Sequence, residues 1–147
     1  MMIRQIKETD LAQVCAIEAA TFSDAWTMQS FEETMQNSES CLLVAVDDEE
    51  TVLGYCCLYT AADEGEIVNV AVADKARRLG IGYALVSALM REGSLRGVTF
   101  FYLEVRESNL PAQKLYEKLG FKAAGLRKNF YQKPLEHALI MTYDVSA

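Results

Sequence analysis

The sequence predicts a single mixed α/β domain, in which a mixed sheet carries helices on both faces. Three observations lead to this prediction. The chain has 147 residues and is 51% hydrophobic, which suits one hydrophobic core. Strand-like segments cluster in the first half of the chain, and helical and strand-like segments alternate in the second half. No repeat, low-complexity tract or linker rich in proline and glycine divides residues 1–147, so we expect one domain.

The first half of the chain is predicted to contain two helices and four strands. Thr9 or Asp10 is placed to cap the first helix, whose apolar residues fall near one face. Short apolar runs on either side of an acidic turn, residues 47–50, predict strands that form a meander. The predicted elements are a strand around residues 3–6, helices from residue 11 and over residues 28–36, and strands over residues 41–46, 51–60 and 66–72.

Helices and strands alternate in the second half of the chain. Ile81, Leu85 and Leu89 share one face of the first of these helices, which gives it a core side. Whether Gly93 ends this helix or lies within it stays open, because a glycine within a helix costs about 1 kcal/mol relative to alanine. The predicted elements are helices over residues 80–92 and 111–119, and strands over residues 98–104, 121–126 and 137–143.

The charge of the chain is negative and unevenly spread. The formal net charge is −7, which disfavours binding to nucleic acid and favours basic partners. Eight acidic residues and no lysine or arginine lie within residues 39–66, whereas Lys75, Arg77 and Arg78 crowd into four positions. We interpret the acidic residues 47–50 as a solvated hairpin turn. An acidic protein thus keeps one short basic segment.

No segment of the sequence suggests export or membrane insertion. The longest apolar stretches, such as residues 41–46 and 98–103, are far shorter than the roughly 20 residues of a membrane-spanning helix. Residues 1–10 contain four charged residues and lack the apolar core of a signal peptide. We therefore expect a cytoplasmic protein without membrane contact.

The cysteines and the one histidine do not predict a metal site or a nucleophilic triad. The four cysteines show no C-x-x-C spacing and lie in apolar runs, where a thiol behaves as a small hydrophobic group. His137 would have to supply the histidine of a zinc site or of a Ser-His-Asp triad alone. We expect buried reduced thiols, a strand histidine and no metal.

A glycine-containing turn follows the strand at residues 67–72 and opens a helix with Gly80-Ile81-Gly82. Backbone amides at a helix N-terminus have no partner within the helix and carry part of the positive end of its dipole, so they bind anionic phosphates. Arg77 and Arg78 add positive charge to this turn. The arrangement suits a pyrophosphate.

Two other interpretations of this turn compete. One is a Rossmann dinucleotide site, for which Glu104 lies at about the distance of the ribose-binding acid. Against it, the third glycine position is Leu85, and seven residues separate Val72 from Gly80. The other is a glycine-containing loop that binds no ligand. The sequence on either side of the turn distinguishes these two interpretations from a pyrophosphate site.

That flanking sequence resembles a known family. Residues 77–82, Arg-Arg-Leu-Gly-Ile-Gly, resemble the R/Q-x-x-G-x-G/A motif of the GNAT superfamily of N-acetyltransferases. Residues 103–109 and 115–121 resemble a later block of the same family, most closely its RimI-type branch, which acetylates the N-terminal alanine of a ribosomal protein. Residues 22–27 and 127–131 also resemble RimI-type segments, so the similarity covers nearly the whole chain.

The resemblance implies a fold, a cofactor and a set of cofactor contacts. The GNAT fold has a central, mixed and mostly antiparallel sheet with helices on both faces, and its splayed central strands hold acetyl-CoA. Backbone groups of the strand matching residues 70–72 pair with the pantetheine, and amides of the following loop hold the pyrophosphate. The implied cofactor-binding residues are Val70, Ala71, Val72, Arg77, Arg78, Leu79, Gly80, Ile81, Gly82, Tyr83 and Asn109.

Two residues are candidates for proton transfer. Acetylation of an amine by a thioester needs a neutral amine, a polarised carbonyl and a proton for the departing thiolate. Glu104 ends an apolar run, where partial desolvation would raise its basicity; it either faces solvent, pairs with Arg106, or acts through water as the general base, as the matching family residue implies. Tyr116 is either a core aromatic or, as the resemblance implies, the acid that protonates the CoA thiolate. We favour the catalytic role for both.

The predicted acceptor is the N-terminal α-amine of a protein, such as a ribosomal protein. The pKa of an α-amine is near 8 and that of lysine is about 10.4, so the neutral α-amine costs about 3 kcal/mol less at pH 7. Trp26, Phe130 and Tyr131 are candidates to line the acceptor groove, with ordinary packing as the alternative for Trp26.

Two other functions stay open. One is acetylation of a small amine, a polyamine or an aminoglycoside, which the acidic residues 39–66 would suit. The other is a catalytically silent module that binds acetyl-CoA. The sequence also leaves the oligomeric state open.

Overall fold

Seven strands form one mostly antiparallel sheet in the order β1-β2-β3-β4-β5-β7-β6, as seen in a computed structural model that describes residues 1–146. The only parallel neighbours in that part of the chain are β4 and β5. The elements are β1 Met2–Gln5, α1 Leu11–Thr21, α2 Met28–Gln36, β2 Ser40–Val46, β3 Val52–Ala61, β4 Glu64–Val72, α3 Ile81–Leu95, β5 Phe100–Arg106, α4 Leu110–Lys118, β6 Lys122–Gln132 and β7 Leu135–Asp144.

Helices cover both faces of the sheet, as predicted, and each face has its own core. On one face, α3 buries Leu85 and Leu89 against Phe101 of β5. On the other, α1 and α2 bury Val14 and Phe31 together with strand residues such as Tyr55. A doubly wound Rossmann fold needs a parallel sheet, so this topology excludes the dinucleotide-site interpretation.

Several boundaries differ from the predicted ones, and three elements end later than predicted by two residues or more. The helix α3 continues to Leu95, so Gly93 lies within it; a Cβ at Gly93 would lie 2.7 Å from Phe101 Cε1, which shows why this position holds a glycine. The strand β5 runs past Glu104 to Arg106. The strand β6 extends to Gln132 rather than ending near residue 126, because Tyr131 and Gln132 pair with β7 again after an irregularity that follows Arg127.

The predicted side-chain cap of the first helix is wrong. Asp10 is the N-cap residue of α1, but its side chain makes no capping hydrogen bond. Its carboxylate instead accepts from the Lys7 N–H at 2.8 Å and from Arg4 Nη1 at 2.7 Å. The ion pair with Arg4 holds the carboxylate away from the amides of the helix, so Asp10 ties the start of α1 to β1.

The cysteines are free thiols, as expected: Cys41, Cys56 and Cys57 are buried and Cys15 is half-buried. His137 lies in β7, and its Nδ1 accepts from the Asn129 N–H at 2.9 Å. Within residues 1–146, no group of three or more His, Cys, Asp or Glu side chains is placed to hold a metal ion. None of the helices found there is both long and apolar enough to cross a bilayer.

The two parallel strands separate along part of their length. They pair only where Glu64, Gly65 and Glu66 of β4 face residues 100–102 of β5. Beyond Glu66 the strands diverge, and a bulge around Val68 shifts the register between β4 and β3. This divergence opens the sheet at its centre and positions the site described next.

Candidate active site

A cavity of about 740 Å³ opens where β4 and β5 separate. Its walls come from these two strands, from α4, from the loop between α1 and α2, and from the hairpin of β6 and β7. All five residues predicted for proton transfer and for the acceptor groove line this one cavity: Glu104, Tyr116, Trp26, Phe130 and Tyr131.

Glu104 projects from β5 into the cavity and is nearly buried. Its side chain is 13% exposed, and its Oε1 lies 3.3 Å from Nη1 of Arg127 on β6. The alternative pairing with Arg106 is wrong, because Arg106 pairs with Glu136 at 3.1 Å. Glu104 is therefore a partly desolvated carboxylate at the cavity wall, which suits a general base.

Tyr116 reaches the same cavity from α4 and is buried. It is 7% exposed, and its ring packs edge-on against Phe121, with centroids 5.8 Å apart. Burial raises the pKa of the Tyr116 phenol. A phenol that keeps its proton in a closed site suits the donation of that proton to a thiolate.

Glu66 is a cavity residue that the sequence did not single out. It lies on β4 and is half-buried. Burial, followed by the neighbouring Glu104 carboxylate, raises the pKa of Glu66. In the sequence Glu66 counts only as the last of eight acidic residues, and no pattern distinguishes it from the exposed ones.

Glu18 of α1 is a second residue that sequence reasoning missed, and it supports the cavity wall from the core. It is 1% exposed and accepts hydrogen bonds from the Tyr55 hydroxyl, from Asn69 Nδ2 at 3.0 Å and from the Trp26 N–H at 2.9 Å. Its position, four residues after buried Val14, places it on the buried face of α1, and this spacing could have identified it. The carboxylate ties two cavity-lining residues, Trp26 and Asn69, to the core.

One end of the cavity, the predicted acceptor groove, is built from aromatic rings that contact an arginine. The rings of Phe130 and Tyr131 lie 5.0 Å apart, and the Arg106 guanidinium lies 4.3 Å from the centre of the Tyr131 ring. Burial raises the pKa of Tyr131 to about 12. Trp26 lines the cavity and also packs on Phe31, with centroids 5.1 Å apart, so contact with an acceptor stays a prediction for Trp26.

A bridge joins the two loops above this end of the cavity. The Ser23 hydroxyl in the loop between α1 and α2 donates to the backbone carbonyl of Lys133, in the hairpin of β6 and β7. Arg106 steadies the same hairpin by donating to the carbonyls of Lys133 and Pro134, each at 3.1 Å. Ser23, Lys133 and Pro134 all line the cavity.

The segment predicted to bind the cofactor lies where β4 leads into α3. Gly80 precedes the helix with φ 76° in the left-handed region, and Arg78 has φ 66°. Residues 77–80 are exposed, and Leu79 is 72% exposed. A Cβ at Gly82 would lie 3.7 Å from Leu115 and from Val72, so the start of α3 adjoins α4 and the end of β4. An accessible set of amides at a helix N-terminus suits a pyrophosphate.

Of the other predicted cofactor residues, some line the cavity and some do not. Val70 and Asn109 line it, and the Asn109 side chain also caps α4 by accepting from the Ala112 N–H at 3.2 Å. Ala71 points into the core beneath α1 and is 4% exposed. Arg77 is turned back toward Asp74, with Nη1 and Oδ1 3.1 Å apart.

A sheet split at its centre beside a glycine turn is the architecture of enzymes that transfer acyl groups from CoA. Residues 11–121 match the model of the Acetyltransferase (GNAT) family. The chain belongs to this family, as its sequence motifs predicted, and is an N-acetyltransferase that uses acetyl-CoA.

Relatives extend along almost the whole chain. The [Ribosomal protein bS18]-alanine N-acetyltransferase of Escherichia coli strain K12 is 32% identical over 146 residues, covering 98% of this chain and 97% of that protein. The crystal structure of the ribosomal-protein-S18-alanine N-acetyltransferase from Escherichia coli superposes with a TM-score of 0.88 at 31% identity, covering 99% of this chain and 94% of that one. An aminoglycoside 6'-N-acetyltransferase complexed with coenzyme A shares the fold, with a TM-score of 0.85 at 20% identity over 99% of this chain and 97% of that one.

Proposed function

We propose that this enzyme acetylates the N-terminal α-amine of a protein, and that the acceptor is the alanine N-terminus of ribosomal protein bS18. One observation carries the proposal: the Escherichia coli enzyme of that name matches 98% of this chain at 32% identity. The cavity supports it, because an aromatic entrance and a buried carboxylate suit a short peptide end that carries an ammonium group.

In the proposed mechanism the amine attacks the thioester directly. Glu104 takes a proton from the acceptor ammonium through water, which frees the nitrogen lone pair. The C–N bond forms as the C–S bond breaks, and Tyr116 gives its phenolic proton to the departing CoA thiolate. The nitrogen then loses its second proton, which restores the Tyr116 phenol, so that the products are the amide, the CoA thiol and a protonated Glu104. No enzyme nucleophile is needed, since acetyl-CoA already carries an activated acyl group.

The proposed cofactor contacts come from one continuous stretch and one cap residue. Backbone groups of residues 70–72 meet the pantetheine, amides of residues 78–83 hold the pyrophosphate with Arg77 close by, and Asn109 contributes from the start of α4. We also propose that residues 1–147 form one catalytic domain that works in the cytoplasm, where acetyl-CoA and newly made ribosomal proteins occur together.

The test measures CoA release from acetyl-CoA with a short peptide that copies the alanine N-terminus of bS18. The control is the same peptide with a blocked N-terminus. We expect release only with the free terminus. Release with neither peptide, despite tight binding of acetyl-CoA, would refute the proposed acceptor.

Acetylation of a small amine is the second candidate. The acidic residues 39–66 favoured a polycation, but Glu66 is the only acidic side chain of that stretch that lines the cavity. The acidic turn at residues 47–50 lies away from it, with Asp47 accepting from the N–H groups of Glu49 and Thr51, each at 2.9 Å. A panel containing spermidine and an aminoglycoside, assayed beside the peptide, distinguishes the two functions.

A further inference from the structure

Glu66 and Glu104 stand side by side on the two strands that separate. Glu66 pairs with Tyr102 in the parallel register, and Glu104 lies two residues farther along β5. Both carboxylates therefore leave the same face of the sheet. Both line the cavity, and the Glu104 carboxylate is one of the causes that raise the pKa of Glu66. Two carboxyl groups placed in this way can share a hydrogen bond only when one of them carries a proton.

The charges around the two carboxylates are unequal. Arg127 contacts Glu104 at 3.3 Å. The positive charge of Arg127 lowers the pKa of Glu66, but burial and the Glu104 carboxylate raise it by more, so the pKa of Glu66 is raised. The Glu66 carboxyl thus takes up a proton at a higher pH than an exposed glutamate does. The other titratable groups around it are Cys57 and Tyr59 of β3, Glu64 of β4, Tyr102 of β5, Tyr131 of β6 and Asp24 of the loop after α1.

We propose that Glu66 and Glu104 act as one proton-accepting pair, in which Glu66 is a positioning residue that works through Glu104. The acceptor ammonium gives one proton, through water, to the deprotonated pair. The N–H bond breaks, and the proton becomes an O–H bond to one carboxylate and a hydrogen bond to the other. The neutral amine keeps the lone pair that attacks the thioester. This inference rests on the proposed role of Glu104 as the base.

Sharing a proton between Glu66 and Glu104 addresses the difference in pKa between a glutamate and the acceptor ammonium. An isolated glutamate with a pKa of about 4.3 is a weak acceptor for the proton of an α-ammonium with a pKa near 8. Two carboxylates that share one proton bind it more tightly than either does alone, because that proton relieves their mutual repulsion. Glu66 thereby reduces the difference in pKa between the acceptor ammonium and the base.

The first test titrates the carboxyl groups directly and needs no substrate. Glutamate Cδ is labelled with carbon-13, and the two signals are assigned with Glu66→Gln and Glu104→Gln. We expect the midpoint of Glu66 to fall by about one pH unit or more in Glu104→Gln, because the like charge and the shared hydrogen bond are lost. An unchanged midpoint would overturn the pairing.

The second test follows kcat against pH at saturating acetyl-CoA and peptide. In Glu66→Gln we expect kcat at pH 7 to fall about tenfold, and the acidic limb of the profile to move down by about one pH unit. The matched control is Glu64→Gln, which removes one charge from the same face of β4 at an exposed position outside the cavity. It should behave as the wild type does. A wild-type profile in Glu66→Gln would overturn the inference.

The two tests also separate this inference from the proposed acceptor. An enzyme that acetylates the free peptide, but in which Glu66 titrates independently of Glu104, refutes the pair alone. An enzyme that acetylates only small amines refutes the peptide acceptor alone. The pair would accept a proton from the ammonium form of any amine. If the enzyme acetylates only small amines, the Glu66 and Glu104 variants are therefore compared with a small amine as the acceptor.

Discussion

Glu104 and Tyr116 face one cavity from two different elements, β5 and α4. In the proposed reaction protons pass in opposite directions at these residues, toward the carboxylate and away from the phenol. The surroundings differ accordingly: Glu104 lies beside a partly exposed arginine, whereas burial raises the pKa of Tyr116. The phenol of Tyr116 therefore keeps its proton, as the donor role proposed for it requires.

Removing either group should slow turnover without loosening the cofactor. We expect Glu104→Gln and Tyr116→Phe each to lower kcat by about 100-fold or more, because each loses a proton-transfer step. The dissociation constant for acetyl-CoA, measured by calorimetry, should stay near the wild-type value. Glu107→Gln, an exposed neighbour just after β5, is the control and should keep wild-type turnover. Full activity in Tyr116→Phe would assign the thiolate proton to another donor.

Glu18 is expected to matter for stability. Its carboxylate accepts three donors in the core, and in Glu18→Gln one carbonyl oxygen has to replace two carboxylate oxygens while the new NH₂ meets other donors. We expect the free energy of unfolding in urea to fall by about 2 to 3 kcal/mol. The exposed Glu32→Gln on α2 should change it by less than about 0.5 kcal/mol. Equal values for the two variants would show that the network adds nothing to stability.

The residues that the sequence predicted and those it missed differ in a physical way. Glu104 and Tyr116 were predicted because motifs bracket them. Glu66 and Glu18 lie near partners distant in the chain, as Glu18 does near Asn69, 51 residues away. The spacing from Val14 could mark Glu18 as buried, but only the fold brings its partners together, and the sequence of a single chain contains no pattern for those contacts.

At the scale of elements, the predicted boundaries agree with the structure where the element has a buried face. The helix α2 begins and ends where its pattern predicted, at Met28 and Gln36, and the strands β2, β3 and β4 form the predicted meander. The strand β6 was predicted too short because nearly all of its residues are exposed. An edge strand paired only with β7 shows no alternation of apolar and polar residues, so hydrophobic periodicity could not reveal its length.

Position 93 in the helix α3 tests whether core packing or helix propensity has the larger effect on stability. Alanine at position 93 would gain up to about 1 kcal/mol in helix propensity, but its Cβ would lie 2.7 Å from Phe101, which is fully buried. Overpacking a core costs about 1 to 3 kcal/mol. We expect Gly93→Ala to lower the melting temperature, and the exposed neighbour Ser94→Ala to keep or raise it. A more stable Gly93→Ala would show that Phe101 moves aside easily.

At the scale of the whole molecule, the net charge of −7 sets how acceptors approach. A protein of net negative charge attracts positively charged peptides. Salt weakens that attraction, because the Debye length falls from about 30 Å at 0.01 M to about 8 Å at 0.15 M.

The value of kcat/KM for an alanine peptide followed by two lysines should therefore fall as salt rises. A matched peptide with two glutamines in their place is the control and should change little. Equal salt dependence of the two peptides would assign the effect to the cofactor or to the fold rather than to attraction of the acceptor.

The contact between Ser23 and Lys133 joins the loop after α1 to the hairpin of β6 and β7, and both residues line the cavity. Because the two segments are already held together, less conformational entropy is lost when an acceptor binds in the cavity. The rim is thus organised for binding before any acceptor arrives.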